Sequence, residues 1–218
     1  MLEVAGVADG RSEASSRRMA GPLDTRTTLE AIGGEGAIAS IPMPGPAIGV
    51  ESAGVHPRSA SDSSSVLTRW MGIEDANTAG YVHGGVIMRL CDEVAGIAAI
   101  RHCGVRVVTA GMDRMTFMHP VHVGQLVTFR ATVNAAWRTS MEVGVRVDSE
   151  DVRTRAVAHT STAYLTMVAL DDQGHPAAVP RLLAQSPEEC RREKEAQLRR
   201  DNRLAEREAI RRARDARS

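Results

Sequence analysis

Two stretches in the second half of the chain alternate between apolar and polar residues with a period of two. Within Gln125 to Trp137 and Ser140 to Asp148, the apolar positions are Val127, Phe129, Ala131, Val133, Met141, Val143, Val145 and Val147. Such alternation is typical of antiparallel strands that turn one face toward a core and the other toward solvent or a partner. The pattern therefore predicts an antiparallel sheet with a single buried face.

Three further runs have strand character, and one long helix is available to cover the sheet. The strand-like runs are Ser64 to Met71, Val105 to Met118 and Arg155 to Leu170. The helix is predicted over Val86 to His102, where apolar residues recur on one broad face, and it ends near Gly104, which suits a C-terminal cap. A strand, a helix and four antiparallel strands in roughly 120 residues make an α+β architecture. A sheet wrapped around one long central helix is the hotdog fold.

The predicted domain, residues 61 to 182, has a different segment on each side. Residues 1 to 60 are rich in glycine, serine, alanine and proline and keep no helical or strand period, so we expect a disordered N-terminal extension. Met19 and Met43 are alternative start sites within it.

Residues 183 to 218 open with a helix-start signature, Ser186 at the cap and Pro187 at the first position. The segment continues with Glu and Arg residues four apart, and Leu198, Leu204 and Ile210 share no single stripe. We expect a solvated charged helix; the alternative is a tail that binds RNA or a partner.

The composition and net charge of the chain limit which partners and which cellular compartment we expect. The formal net charge is +0 and the pI about 7.1, so the chain as a whole offers no electrostatic reason to bind nucleic acid or a membrane. There is no run of eighteen apolar residues and no signal-peptide pattern. The three cysteines form no CxxC pair, and Cys91 and Cys103 lie at opposite ends of the predicted helix. We therefore expect a soluble, cytoplasmic protein in a reducing compartment.

Asp92 is the one residue of the predicted helix that packing does not explain. Its neighbours three and four positions away are Met88, Ala95 and Gly96, a strip of small and flexible apolar residues, whereas Glu93 lies with Arg89 on a polar face. An unpaired charge among such residues is costly unless it is used or neutralised. Asp92 is therefore a candidate functional carboxylate, with a buried structural carboxylate as the alternative.

The start of the same helix is a candidate anion site. Gly84 and Gly85 lie at its first turn, where free backbone N–H groups and a partial positive charge stabilise an anion or an oxyanion. Eight residues separate Gly84 from Asp92, which places them roughly 12 Å apart along the axis. If both act on one carbonyl, Asp92 comes from a second copy of the helix. The spacing therefore suggests a dimer with two composite sites.

The residues around these positions resemble a known family. They closely resemble the hotdog acyl-CoA thioesterases of the brain-type cytosolic acyl-CoA hydrolase group and their single-hotdog bacterial relatives. The resemblance covers about residues 64 to 182. Its motifs are Asp75 to Asn77, Gly80, Val82 to Gly85, Met88 to Leu90, Asp92 to Ile97, Arg101 to Cys103, Val108 to Ala110, Asp113, Phe117, Pro120, Gly124, Ser140 to Val143, and Val179 with Pro180.

The resemblance implies a substrate, an assembly and a catalytic pair. The substrate would be a medium-chain to long-chain fatty acyl-CoA, hydrolysed to a free fatty acid and CoA, with no cofactor because coenzyme A is part of the substrate. Tandem-domain family members pair an essential asparagine of one hotdog with an essential aspartate of the other, and this chain carries both, Asn77 and Asp92, in one domain. A homodimer would then contain two equivalent sites, and related enzymes often assemble further as trimers of dimers.

Thioester hydrolysis requires an oriented water, a base and an oxyanion stabiliser, and each role has a candidate here. Asp92 would act as general base, or as a nucleophile that forms a transient anhydride. Asn77 from the partner's loop would orient the water or bond the carbonyl oxygen, while the backbone N–H groups of Gly84 and Gly85 would bind the oxyanion. His83 is either another base or a loop histidine that bonds the backbone.

Binding of the CoA portion has its own candidates. Arg138, Thr139 and Ser140 offer a guanidinium and two hydroxyls suited to phosphate, although an ordinary hairpin turn explains them equally well. Thr109 and Gly124 are weaker candidates for substrate binding.

The other histidines of the domain have a structural interpretation, and two other function classes are alternatives to a thioesterase. His102, His119 and His122 are expected to be surface or turn residues. A hotdog hydratase or dehydratase would need a His/Asp pair on its active loop. A non-catalytic acyl-CoA sensor would need a DNA-binding element before the domain.

Overall fold

A computed structural model of the protein describes residues 56–216. Of the extension expected over residues 1 to 60, only the last five lie within the described residues. The elements in chain order are β1 Arg58–Ser59, α1 Ala60–Ser63, β2 Ser65–Trp70, a 3-10 turn Ile73–Asp75, α2 Gly84–Cys103, β3 Arg106–Met112, β4 Leu126–Ala136, β5 Ser140–Glu150, β6 Val157–Leu170, β7 Leu182–Leu183 and α3 Pro187–Asp215.

The main sheet has five strands in the order β2-β4-β5-β6-β3, and every neighbouring pair is antiparallel. The predicted alternation is preserved in its register; for example, Phe129 of β4 faces Val147 of β5. Helix α2 contacts all five strands. The α+β hotdog architecture predicted from the sequence is therefore confirmed.

The core lies between α2 and the inner face of the sheet. The apolar positions of β4 and β5 and the apolar face of α2 supply most of it, and their side chains are almost completely buried. Most residues on the outer face of β4 and β5 are polar, as period-two alternation predicts. Gly104 ends α2 in the left-handed conformation, with φ of 74° and its N–H bonded to the Ile100 carbonyl, which is the predicted cap.

The run from Val105 to Met118 was predicted as one strand, and the second part of that prediction is wrong. The strand β3 ends at Met112, after a register shift between Thr109 and Gly111. Residues 113–118 then run alongside β6, held at one end by the Asp113 N–H on the Tyr164 carbonyl (2.9 Å) and at the other by the Met118 N–H on the Thr160 carbonyl (2.8 Å). We call residues 113–118, the first part of the crossing from β3 to β4, the crossing segment.

The prediction that the C-terminal helix is simply solvated is also wrong. Its apolar residues Leu198, Leu204 and Ile210 are exposed, as expected, but Ala196 is completely buried. The helix packs against the outer face of the sheet through arginines, with the Arg199 guanidinium 3.6 Å from the Tyr164 ring centroid. Hydrophobic periodicity does not detect such contacts, because the buried parts of the side chains end in charged groups.

Candidate active site

The loop before α2 is fixed by one buried carboxylate. Asp75, 4% exposed, accepts hydrogen bonds from the Arg69 guanidinium (2.9 Å) and the Gly72 N–H (3.0 Å). Its backbone carbonyl accepts the His83 N–H at 2.7 Å. Asp75 therefore ties the start of α2 to the end of β2, and the loop between them is held at both ends.

Asn77 has its side chain oriented by its own loop. Its Oδ1 accepts hydrogen bonds from the backbone N–H groups of Ala79 (2.9 Å) and Tyr81 (3.2 Å). Both bonds use the oxygen, so the Nδ2 amide group remains available to donate. Asn77 can therefore present an N–H donor of fixed orientation to a ligand.

Asn77 and Gly84 line the same cavity, which has a volume of about 220 Å³. Its other walls come from the end of the loop, from α2, and from the chain after β3, namely Tyr81, Val82, Ile87, Phe117, His119, Pro120 and Val121. The Phe117 ring is 3.4 Å from the position that a Cβ on Gly84 would occupy. Phe117 and His119 were not among the predicted site residues, because nothing in their sequence spacing links them to the helix start.

The two glycines at the start of α2 differ in whether their backbone N–H groups are already bonded. The Gly85 N–H donates to Nδ1 of His83, the N-cap residue, at 3.1 Å. The neutral His83 ring therefore carries its proton on Nε2. Within residues 56–216 the Gly84 N–H has no hydrogen-bond acceptor. Gly84, rather than Gly85, thus has the N–H that is open to an anion in the cavity.

Asp92 is partly buried and is held by a threonine from the neighbouring strand. The Thr109 hydroxyl on β3 donates to Asp92 Oδ1 at 2.5 Å. The adjacent thiol, Cys91, is completely buried; its burial, with the nearby Asp92 charge, raises its pKa to about 12. A thiol with that pKa is protonated at neutral pH, so Cys91 is not available as a nucleophile.

Asp92 lies at the border between the buried side of α2 and a face that this chain leaves open. Met88, one turn before Asp92, is 41% exposed, and Ile100, two turns after it, is 48% exposed. Ala95 and Ala99, three and seven positions after Asp92, are completely buried. Half-exposed apolar side chains flanking a carboxylate are suited to packing against another surface.

A single chain does not bring Asp92 and Asn77 into one cavity. Asp92 does not line the cavity that contains Asn77 and Gly84. The helical rise separates Gly84 from Asp92 by roughly 12 Å, as the sequence predicted.

Arg138, Thr139 and Ser140 form the hairpin between β4 and β5, where the Trp137 N–H bonds the Ser140 carbonyl. The Arg138 carbonyl accepts the Val179 N–H, close to Pro180, whose carbonyl lies 2.9 Å from His102 Nε2. His102 is 18 residues from Gly84 along α2, or about 27 Å. The structure therefore does not bring this hairpin to the cavity of the same chain, although the Arg138 guanidinium is exposed.

Two further predicted residues have structural roles. Gly124 has a φ of 86°, which only glycine adopts readily, and its N–H bonds the Met71 carbonyl in the turn before β4. The expectation that His102 lies on the surface is wrong, because its side chain is completely buried at the end of α2. His119 and His122 are exposed as expected.

No helix within residues 56–216 is long and apolar enough to cross a membrane. No group of three or more histidine, cysteine, aspartate or glutamate side chains in the same range is arranged to hold a metal ion.

Comparison with known proteins identifies the family. Residues 79–156 match the model of the thioesterase superfamily. A Bacillus subtilis protein named uncharacterized acyl-CoA thioester hydrolase YkhA is 36% identical over 132 residues, which cover 61% of this chain and 77% of the relative. This chain belongs to the thioesterase superfamily. The predicted resemblance to the hotdog acyl-CoA thioesterases is thereby confirmed.

Other members of the superfamily match over different shares of their length. Cytosolic acyl coenzyme A thioester hydrolase of Rattus norvegicus is 36% identical over 139 residues, 63% of this chain but only 36% of the relative. An acyl-CoA hydrolase from Staphylococcus aureus, solved with butyryl coenzyme A, coenzyme A and coenzyme A disulfide, is 33% identical with a TM-score of 0.67, over 72% of this chain and 95% of that one. A hexameric acyl-CoA thioesterase is 34% identical with a TM-score of 0.67, over 69% of this chain and 97% of that one.

Three structures of the Staphylococcus aureus hydrolase carry single alanine mutations, at an asparagine, an aspartate and a threonine. In that chain the aspartate follows the asparagine by 15 residues, and the threonine follows the aspartate by 17. In this chain 15 residues separate Asn77 from Asp92, and 17 separate Asp92 from Thr109. The three residue types recur with the same spacing.

Proposed function

We propose that this protein hydrolyses medium-chain to long-chain fatty acyl-CoA to a free fatty acid and CoA, in a composite site at a homodimer interface. The observation that carries the proposal is the Asp92 carboxylate, held by Thr109 at the border of the open face of α2. The relatives named acyl-CoA hydrolases and the matching spacing of Asn77, Asp92 and Thr109 support the same substrate class.

In the proposed reaction Asp92 acts as the general base. A thioester carbonyl is already electrophilic, so the slow requirement is a water held in position and deprotonated as it attacks. The Thr109 hydroxyl occupies Oδ1 and fixes the orientation of the carboxylate, which leaves Oδ2 to accept a proton from water. When the tetrahedral intermediate collapses, the C–S bond breaks and the thiolate of CoA takes up a proton.

The negative charge that develops on the carbonyl oxygen would be stabilised by the Gly84 N–H. This donor lies at the N-terminus of a 20-residue helix and has no other acceptor within the described residues. The Asn77 Nδ2 amide group, oriented by the two bonds to its oxygen, would hold the water or add a second bond to the carbonyl oxygen.

A second copy of the chain would bring the two halves together. The open face of α2 gives that copy an apolar contact surface around Asp92, and β3 is an edge strand of the sheet. Two-fold symmetry then produces two equivalent sites, each with Asn77 and Gly84 from one chain and Asp92 and Thr109 from the other. A trimer of such dimers is consistent with the hexameric thioesterase relative.

The proposal also covers the binding of the CoA portion and the location of the enzyme in the cell. Arg138 remains the proposed contact for a phosphate of CoA, because its guanidinium is exposed and unpaired within residues 56–216, whereas the Ser140 hydroxyl already accepts a bond from Arg200. We also propose that the enzyme works in the cytoplasm, where the rat relative is named as cytosolic.

The proposal is tested by incubating the purified protein with acyl-CoA from acetyl to palmitoyl and measuring free CoA with a thiol reagent. Release of CoA that is fastest with medium and long chains is expected. Absence of release from every chain length would refute the hydrolase proposal.

The composite site needs a separate test in which Asn77→Ala and Asp92→Ala proteins are unfolded together and refolded. Each variant alone should be nearly inactive, but a mixed dimer has one intact site, so random mixing should restore about a quarter of wild-type activity. If both residues act within one chain, no mixture recovers activity.

A further inference from the structure

Helix α3 makes its contacts to the rest of the chain at a cluster of buried and half-buried charges. Glu142 of β5 is completely buried, and Arg199 donates to it at 2.7 Å from Nη2. The Asn134 amide on β4 donates to the same carboxylate at 3.3 Å. Arg200 lies 4.3 Å from the centroid of the Trp137 ring. These contacts attach α3 to β4 and β5.

One turn further along α3, Arg203 connects this cluster to a different part of the chain. Its Nη1 donates to Asp113 Oδ2 at 2.6 Å, and the same nitrogen lies 3.5 Å from Glu142. Asp113 is the first residue of the crossing segment. Both partners are partly buried, with Arg203 at 30% and Asp113 at 20% side-chain exposure, so this pair is less screened than a surface pair.

The crossing segment forms a wall of the cavity. Its Met115 packs against the core, and its Phe117 lies against Gly84, whose N–H is the free donor at the start of α2. Phe117 is 43% exposed and therefore depends on the backbone of the segment for its position. The segment's contacts include the two backbone bonds at its ends, the Met115 packing and two ion pairs with α3. The Arg203–Asp113 pair is partly buried, whereas the second pair, Arg114 with Glu206 at 3.6 Å, is exposed and therefore weaker.

We propose that Arg203 is a positioning residue, which acts through Asp113 on the crossing segment and so sets the position of Phe117 over Gly84. The proposal rests on the hydrolase activity proposed above. Arg203 touches no residue of the cavity itself, and a rigid pair with Asp113 transmits the position of α3 to the wall that an acyl group would meet. Burial raises the pKa of the Asp113 carboxyl, and the Arg203 charge opposes that rise.

The test compares Arg203→Ala with Arg211→Ala. Arg211 is on the same helix and, within residues 56–216, forms its ion pair with Glu208 of that helix, so its removal controls for the loss of one arginine from α3. Hydrogen exchange of residues 113–118 and kcat/KM for short-chain and long-chain acyl-CoA are measured for both. In Arg203→Ala we expect faster exchange in the crossing segment and a loss of kcat/KM of about tenfold, larger for long chains; in Arg211→Ala we expect neither.

Docking of α3 is followed in parallel. The chain has two tryptophans, Trp70 and Trp137, so a Trp70→Phe background leaves Trp137, beneath Arg200, as the only tryptophan emission. The proposal requires this emission to stay unchanged in Arg203→Ala, because Arg199 and Ala196 still hold the helix. A shifted emission would show general undocking and would overturn a specific positioning role.

Asp113→Asn removes the same ion pair by changing its other partner, and it keeps the shape of the side chain. It therefore serves as the test if Arg203→Ala does not fold. Its effect on the exchange of residues 113–118 should match that of Arg203→Ala. The double variant should be no worse than Arg203→Ala alone, because that variant already lacks the pair with Asp113 as well as the longer contact with Glu142. Arg203→Lys, which keeps the charge near Asp113, should recover part of the activity. Unchanged hydrogen exchange of residues 113–118 in the variants would overturn the proposal, and so would losses of activity that multiply in the double variant. The hydrolase proposal fails separately: a wild-type protein that releases no CoA would refute it alone, since the exchange measurement needs no substrate.

Discussion

The Thr109 hydroxyl lies 2.5 Å from Oδ1 of Asp92, and the two residues come from different elements, the edge strand β3 and the central helix α2. The same hydroxyl lies 3.5 Å from the Met167 sulfur on β6. The bond fixes one carboxylate oxygen and leaves Oδ2 without a hydrogen-bond donor within residues 56–216. Thr109 therefore sets the direction in which Asp92 can accept a proton.

Thr109→Val removes this bond while it keeps the shape of the side chain. We expect kcat to fall by about 10-fold to 100-fold, because the carboxylate loses its fixed orientation. Thr109→Ser retains the hydroxyl and should keep most of the activity. Steady-state kinetics with one acyl-CoA substrate provide the measurement, and equal rates for the valine and wild-type proteins would contradict the role of Thr109.

Asp92→Ala and Asn77→Ala should each lower kcat by about 100-fold or more, with the oligomer intact by size-exclusion chromatography. The reason is that one removes the base and the other the oriented amide of the same site. Glu93→Ala is the matched control, because Glu93 is the neighbouring carboxylate on α2 and pairs on the surface with Arg89. Near-normal turnover in Asp92→Ala would end its assignment as the base.

The sequence predicted the scaffold better than it predicted the surroundings of the site. Period-two alternation and a single apolar helix were sufficient to predict the hotdog sheet, because both patterns show directly which residues are buried. The spacing of Gly84 and Asp92 gave their separation, because a helix has a fixed rise. Thr109 was only a weak candidate, since its bond to Asp92 depends on the register of β3 against the helix.

Contacts made by polar groups across elements were the part that sequence patterns missed. The docking of α3 uses arginines that also fit a solvated helix, and its partner Glu142 occupies a polar position of an alternating strand. The sequence indicated a surface position for His102. Its ring is instead buried at the end of α2, where Nε2 lies 2.9 Å from the Pro180 carbonyl in the loop before β7. The wall formed by Phe117 required the chain to leave β3 after Met112, which an apolar run does not reveal.

Removing the two partners of the buried Glu142–Arg199 pair should have unequal effects on stability. Arg199→Ala leaves the carboxylate buried, with Arg203 3.5 Å away and Asn134 as its other partner, and we expect a loss of about 3 kcal/mol. Glu142→Gln leaves a guanidinium that is 22% exposed and can reach water, so we expect a smaller loss of about 1 kcal/mol. Urea unfolding at a fixed protein concentration measures both, and the reverse order would contradict the buried state of Glu142.

Gly144 should tolerate no side chain, because it makes room for Asn134 on the next strand. A Cβ at Gly144 would lie 2.5 Å from Asn134 Nδ2 and 3.2 Å from its Cγ. Gly144→Ala should therefore displace the amide from Glu142 and cost about 1 to 3 kcal/mol. In an Asn134→Ala background the same change should cost much less, and additive losses in urea unfolding would show that the two positions are independent.

His102 should make the stability of the fold sensitive to mild acid. Burial lowers the pKa of His102 from its usual 6.5, since its ring is completely enclosed and Nδ1 has no hydrogen-bond partner among residues 56–216. The His102 ring of the unfolded chain has the usual pKa of 6.5 and is protonated below that pH, whereas the ring of the folded chain, with its lower pKa, stays neutral. The free energy of unfolding therefore falls as the pH drops through 6.5. His102→Gln should flatten the fall in unfolding temperature between about pH 7.5 and about pH 5, whatever its effect on stability at neutral pH. The exposed His122, changed to Gln, is the control, and an unaltered pH slope in His102→Gln would show that other groups cause the acid sensitivity.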